Sequence, residues 1–183
     1  MFKALNTEGV QILFPSFESY NAQLVGTSND IVINNRRKSV KSLLMCIRTA
    51  ANLVDQAADW AFSLANLTSF NLKASLANYP NYDLPVGAPA LIEFNKAVGK
   101  LGMTTESSQL TYSTHVSSPS KSYLGLDLGH FLSQDLVSGM DFEAADTIIH
   151  TNHSARPASA QLTVFVVFDV VTILSSQGVL ISK

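Results

Sequence analysis

The chain has 183 residues, enough for one substantial core that buries about 70% of the surface exposed by the unfolded form. Only 14% of its residues are charged, against roughly 25% in an average soluble protein, while the formal net charge is −2 and the mean hydropathy +0.18. This balance argues against a protein built to coat nucleic acid and points to an exterior hidden largely by other subunits, the alternative being a monomer with a Ser/Thr/Asn-rich surface.

In chain order, residues 10–14 read as a short strand ended by Pro15, and 20–25 and 30–34 as two more around the turn formers Gly26-Thr27-Ser28-Asn29. Arg36, Arg37, Lys38 and Lys41 form the only dense basic cluster and lead into a strand over 40–48. They are where any local contact with nucleic-acid phosphates would fall. A few cations on an acidic chain give weak affinity, so a solvated approach to the strand is the plainer reading. Between 51 and 66, Leu53, Ala57, Trp60, Ala61 and Leu64 recur at helical spacing behind the candidate cap Asn52, which fits either a short helix or a self-packed loop.

Residues 67–77 alternate, with Thr68, Phe70, Leu72 and Ala74 on one side and Ser69, Asn71 and Lys73 on the other. That is the signature of a half-buried strand. Residues 78–87, punctuated by Pro80 and Pro85, read as an extended loop that carries Tyr79 and Tyr82. The best helix spans 89–101: Pro89 suits the first turn, Leu91, Phe94, Val98 and Leu101 share a face, and Gly102 supplies the stop. A Ser/Thr-rich surface excursion follows over 104–122, then strands at 123–128 and 146–152 with a turn at 138–141 between them. The most apolar stretch comes last: residues 161–174 are nearly all β-branched or aromatic and have no polar helical face, so they read as a long strand covered on both faces. After a turn at 175–178, residues 179–182 fold back as a strand. One all-β domain over 1–183, a β-sandwich or barrel with one or two short inserted helices, is the expected architecture.

Reactive chemistry finds little support. His150 and His153, three apart in a strand, point to opposite faces, and His115 and His130 stand apart, so no metal site is expected. The single cysteine, Cys46, has no disulfide partner in the chain and lies among Leu44, Met45 and Ile47, where a thiol is quenched by burial. No nucleophile elbow or glycine-rich phosphate loop occurs, and nothing beyond their presence recommends Asp127, Asp135, Asp141 or Glu143 as a catalytic pair. No enzyme and no cofactor are expected. The first eight residues lack an apolar run of signal-peptide length, so secretion by that route is not expected.

Several segments together resemble the major capsid proteins of the double jelly-roll virus lineage. They are residues 38–44, the stretch with Tyr79-Pro80 and Leu84-Pro85-Val86, the helix at 90–101, Gly125-Leu126-Asp127-Leu128, Ser138-Gly139-Met140-Asp141 and the terminal 164–182. Such proteins are normally more than twice as long, so the resemblance is to their C-terminal jelly roll or to a related single jelly roll. It implies an all-β jelly-roll sandwich of two antiparallel four-stranded sheets with one or two short inserted helices, and a virion structural protein, folded in the host cytoplasm or nucleus. Such a protein meets copies of itself and other capsid proteins in trimeric capsomers of an icosahedral shell. Trp60, Tyr79, Tyr82 and Phe94 are the expected subunit contacts. A jelly-roll carbohydrate- or receptor-binding module, with Tyr79, Tyr82 and Trp60 as a stacking platform, is the competing expectation.

Overall fold

A computed structural model of the protein describes residues 10–49, 51, 54, 63–74, 77–99, 110–117, 122–129, 139–143, 146–157, 159–175 and 178–182. In chain order these form β1 (Val10–Leu24), β2 (Ser28–Ile33), β3 (Val40–Thr49), β4 (Leu67–Ala74), β5 (Ala77–Pro85), α1 (Ala88–Ala97), α2 (Tyr112–Ser117), β6 (Tyr123–Asp127), β7 (Thr147–His153), β8 (Ala160–Ser175) and β9 (Gly178–Ser182).

The strands pair from the outside of the chain inwards: β1 with β8, β2 with β7, β3 with β6 and β4 with β5, all antiparallel. A chain paired in this way is one long hairpin rolled on itself. Two further pairings, β3 with β8 and β4 with β7, close the roll into two sheets of order β1-β8-β3-β6 and β2-β7-β4-β5. This is the jelly-roll sandwich expected from the sequence. β9 adds to the first sheet by pairing with the far end of β8, Val171–Ser175 against Gly178–Ser182.

Alternation sets the core. Along β8, Leu162, Val164, Val166 and Phe168 point inward beside Leu43, Met45 and Ile47 of β3, and they meet Ile31, Ile33, Phe70, Leu72, Leu84 and Ile149 of the opposite sheet. Each such side chain contributes about 1.5–3 kcal/mol on full burial. The turn at residues 25–29 is built by Asn29, whose Oδ1 accepts from the backbone N–H groups of Val25 and Gly26 at 3.0 Å each. That Asx chemistry reverses the chain from one sheet to the other.

Four expectations need correction. Residues 10–14 and 20–25 are not separate strands, because β1 runs unbroken through Pro15. It is an edge strand, where a missing N–H costs no ladder bond. The same logic applies at residues 78–87, which form the edge strand β5 rather than a loop. Pro80 and Asn81–Asp83 are accommodated in a register break opposite β4, between Tyr79 and Leu84. The helix expected at 89–101 spans Ala88–Ala97 and stops at Gly99, which has φ +72°, rather than at Gly102. Within the excursion expected at 104–122, Tyr112–Ser117 is helical. Most of the 51–66 segment, including Trp60, lies outside the described residues, as do His130 and residues 100–109.

A clamp holds the start of β3. Val40 and Met140 exchange backbone hydrogen bonds at 2.9 and 2.8 Å, and the N–H of Phe142 donates to the carbonyl of Arg37 at 2.9 Å. Gly139 makes this approach possible: a Cβ there would lie 2.5 Å from the Ser39 carbonyl carbon and 2.6 Å from the Val40 nitrogen. Backbone cannot yield as a flexible side chain does, so Gly139→Ala is expected to lower stability by roughly 1–3 kcal/mol. Gly129→Ala, whose Cβ would meet only a carboxylate oxygen at 3.3 Å, is expected to cost less. Urea unfolding midpoints of the two variants check the ranking.

Candidate functional site

The outer faces of the two sheets differ in kind. On the β2-β7-β4-β5 sheet the outward positions carry a polar ladder. Asp30 of β2 contacts Nδ1 of His150 at 2.6 Å, and Nε2 of that ring lies 3.1 Å from Oδ1 of Asn152. The Asn152 amide donates to Ser69 at 3.3 Å and to Asp83 at 3.4 Å, and Asn71 donates to the other oxygen of Asp83. The hydrogen bonds thus cross all four strands of a face that suits water.

On the β1-β8-β3-β6 sheet the middle of the outer face is apolar, like the inner face. Because the inward positions of β8 are its even-numbered residues, Phe165 and Val167 must point out. Beside them stand Leu44 and Cys46 of β3 and Phe17 of β1. Phe17 is 67% exposed and meets the Phe165 ring edge-on, with centroids 6.3 Å apart. Helix α1 covers only the far side of this face. It can lie flush on β6 because Gly125 has no side chain: a Cβ there would come within 3.0 Å of the Ala97 Cβ and 3.1 Å of the Phe94 Cα. Phe94 stacks on Tyr123 with 5.8 Å between centroids and 19° between planes.

An open trough remains between α1 and β1. It comprises two recesses of about 420 and 440 Å3 that share Leu44 and Phe165. The first runs under Phe94, Val98 and Tyr123, the second under Pro15 and Phe17, and among the described residues Arg48 is the only charged one lining either. The floor of the trough is apolar and its walls are aromatic. It fits an apolar surface.

The basic cluster is answered within the chain. Arg36 pairs with Asp146 at 3.8 Å, Lys38 with Glu143 at 3.1 Å, and Lys41 with the buried carboxylate of Asp169 at 2.9 Å. Arg37 pairs with Glu18 and lies 4.5 Å over the Phe168 ring. A bulge between Val40 and Ser42 sets Lys41 apart from the regular register, and bulges of this kind re-aim a side chain. Ser39 Oγ donates to the second Asp169 oxygen at 3.0 Å.

Of the expected contact residues, Phe94 lines the trough. Tyr79 lies on the other side of α1, over a separate recess of about 440 Å3 with Glu93, Lys96 and Asp127, and burial pushes its hydroxyl pKa up. Tyr82 is exposed on β5 and is not among the residues lining that recess. Trp60 is outside the described residues. Sequence reasoning did not single out Phe17, Leu44, Phe165 and Val167. The available signal was the two-sided apolar character of β8, because a sheet whose strand is apolar on both faces needs a cover on each. Among the described residues no group of three metal-ligating side chains comes together. His150 points outward and His153 inward, where His153 Nδ1 lies 2.9 Å from the carbonyl oxygen of Ala65.

These features define a jelly-roll sandwich with one polar outer face and one whose apolar middle is left open by the described residues. No protein-family model matches the chain, and no curated protein matches it in sequence. Solved viral structures share its fold. VP54 of PBCV-1, from a crystal structure fitted into a reconstruction of the virophage Sputnik, aligns with a TM-score of 0.65 at 7% identity, over 97% of this chain and 52% of its own. The Faustovirus major capsid protein aligns at 0.59 and 11% identity, over 95% of this chain and 35% of its own. A chain of the PBCV-1 virus capsid aligns at 0.53 and 9% identity, over 95% and 51%. The chain therefore spans about half the length of the PBCV-1 chains and a third of the Faustovirus protein.

Cys46 reports on the trough. It is buried, and desolvation pushes its thiol above the ordinary 9.0, against smaller opposing effects of the Arg48 charge and a Thr163 hydrogen bond. A protonated, buried thiol is a poor nucleophile, so iodoacetamide is expected to modify native Cys46 far more slowly than the unfolded chain. The native chain also keeps a proton that the unfolded chain releases. This contribution is therefore complete below 9.0 and is lost as pH rises beyond that value. The difference in urea midpoint between wild type and Cys46→Ser, followed from neutral pH to about pH 10, is expected to shrink at the alkaline end.

Proposed function

We propose that this chain is a structural subunit of a viral capsid, which works by burying apolar surface against neighbours and carries out no chemistry. The observation behind this reading is the wrap itself. The strand order of the whole sandwich aligns 95% or more of the chain with VP54 and with the Faustovirus major capsid protein. The chain matches about half or less of each of those proteins, so in this reading it acts as one jelly roll, with a second supplied by a longer polypeptide or by another subunit. An uncovered apolar sheet face is what such a part needs.

Trimeric capsomers of an icosahedral shell are the assembly this reading implies, with the virion as its place. Phe94 in the trough and the projecting Tyr82 are proposed to meet neighbouring subunits, as are Tyr79 and Trp60. Arg36, Arg37, Lys38 and Lys41 are all paired to carboxylates of the same chain, which favours a structural role for them over contact with a genome. Mass spectrometry of gradient-purified virus particles is expected to find peptides of this chain at a copy number comparable with the most abundant shell protein. Absence from purified particles, with presence in infected cells, would overturn the proposal.

A further inference from the structure

We infer that the recess between α1 and the outer side of β3 is a binding site for a small amphipathic anion, an acyl chain of medium length that ends in a carboxylate. The inference goes beyond the capsid reading and does not rest on it.

The site is built on one strand. Leu43, Met45 and Ile47 fill the core, so Leu44, Cys46 and Arg48 stand in a row on the outer side of β3. Ladder pairing sets Phe165, Thr163 and Gln161 of β8 along one flank of that row, and Tyr123 of β6 beside Cys46 on the other. Phe94, stacked on Tyr123, and Val98 complete the wall on the helix side. The recess so enclosed has about 420 Å3, within the usual range for small-molecule sites. From Leu44 to Arg48 it runs about 13 Å at strand rise.

Arg48 gives the recess a polar end. At the start of β3, Arg37, Lys38 and Lys41 each pair with a carboxylate of the chain. Arg48, towards the other end, has no such pair among the described residues, and its Nε is buried without a hydrogen-bond partner. A buried donor left unsatisfied is costly, the more so on a charged group. The guanidinium charge also reaches the floor of the recess, where it opposes the upward shift of the Cys46 thiol. Apart from Arg48 the lining is apolar except for that thiol, Tyr123 and the Thr163 hydroxyl, which donates to Asn21.

These two properties select the ligand. A sugar would give up its hydrogen bonds to water on such a floor. A wholly apolar ligand would leave the Arg48 Nε unsatisfied, and a bare phosphate would leave the apolar lining wet. A carboxylate matches the guanidinium, which binds it through parallel N–H groups, and an acyl chain behind it covers the residues under α1.

The test uses the full chain and decanoate, below the concentration at which decanoate forms micelles. Titration calorimetry is expected to show saturable binding. Decanol, with the same chain and no charge, is expected to bind about tenfold more weakly or worse, and acetate, with the charge and no chain, not measurably. Arg48→Gln is expected to weaken decanoate binding by about the same factor and to leave decanol unchanged. Lys73→Gln, which removes a cation from the opposite sheet, is expected to alter neither. Decanoate is also expected to slow the modification of Cys46 by iodoacetamide, which locates it in this recess.

Absence of saturable binding overturns the inference. So does decanol binding as tightly as decanoate, or decanoate binding that is indifferent to Arg48→Gln or leaves Cys46 as reactive as before. Binding to vesicles of anionic lipid but not to free decanoate overturns it in favour of a membrane surface. If Arg48→Gln does not fold, the comparison of decanoate with decanol on the native chain decides alone. None of these results changes the abundance of the chain in virus particles, so the capsid reading stands or falls separately.

Discussion

Everything in this sandwich depends on β8 being paired along both edges. One edge is taken by β1 over fifteen residues, and the other by β3 and then, beyond Phe168, by β9. Without β8, β1 would have no partner and β3 would keep only β6. Yet the apolar pattern of β8 does not fix its own register. A slip of one residue would exchange Val164 and Val166 for Phe165 and Val167 in the core, one apolar set for another. Polar groups settle the register instead. Asp169 is tied to Ser39 and Lys41, and Thr163 donates to Asn21 at 2.7 Å. A slip would turn the Asp169 carboxylate towards the core without those partners, and an unpaired buried charge is among the costliest defects a protein can carry. The specificity of the strand therefore resides in its few polar residues, and its stability in the rest.

The same logic explains why the clamp at residues 139–142 meets the sheet where it does. Ser39 binds Asp169 and also accepts from the N–H of Gly139 at 3.2 Å. Gly139 can make this contact only because it lacks a side chain. A distant segment, the start of β3 and the register of β8 are thereby joined through one hydroxyl. Removing any one member leaves the others with buried groups to satisfy, which is the usual source of cooperativity in such networks.

Much of this was legible in the residues. The long strand at 161–174, the alternating strand from residue 67, the turn at residues 26–29, the helix start at Pro89 and the fate of Cys46 all follow from local patterns, and the structure agrees with them. The two misread strands share one cause. Proline breaks a strand only where its missing N–H would have been used, and sequence alone does not say that β1 and β5 lie at sheet edges. The helix stop was placed three residues late because Gly99 and Gly102 are equally good candidates by sequence. The trough was the hardest feature to read. Its floor is visible in β8, but its walls come from Phe17 and Phe94, seventy-seven residues apart in the chain, and only the rolled hairpin brings them to one face.

A strand that is apolar on both faces belongs to the middle of three layers, as in sheets covered on each side. The opposite sheet supplies one layer here. Helix α1 begins the other, and Gly125 shows how closely it is fitted, since a Cβ there would come within 3.1 Å of the helix backbone at Phe94. But α1 spans only ten residues, Ala88–Ala97, about 15 Å of helix. It reaches across β6 and the edge of β3 and leaves Phe165, Val167 and Phe17 uncovered. Among the described residues nothing else completes the outer layer begun by α1, and at about 25 cal/mol per Å2 of apolar area the gain from covering these side chains is several kcal/mol.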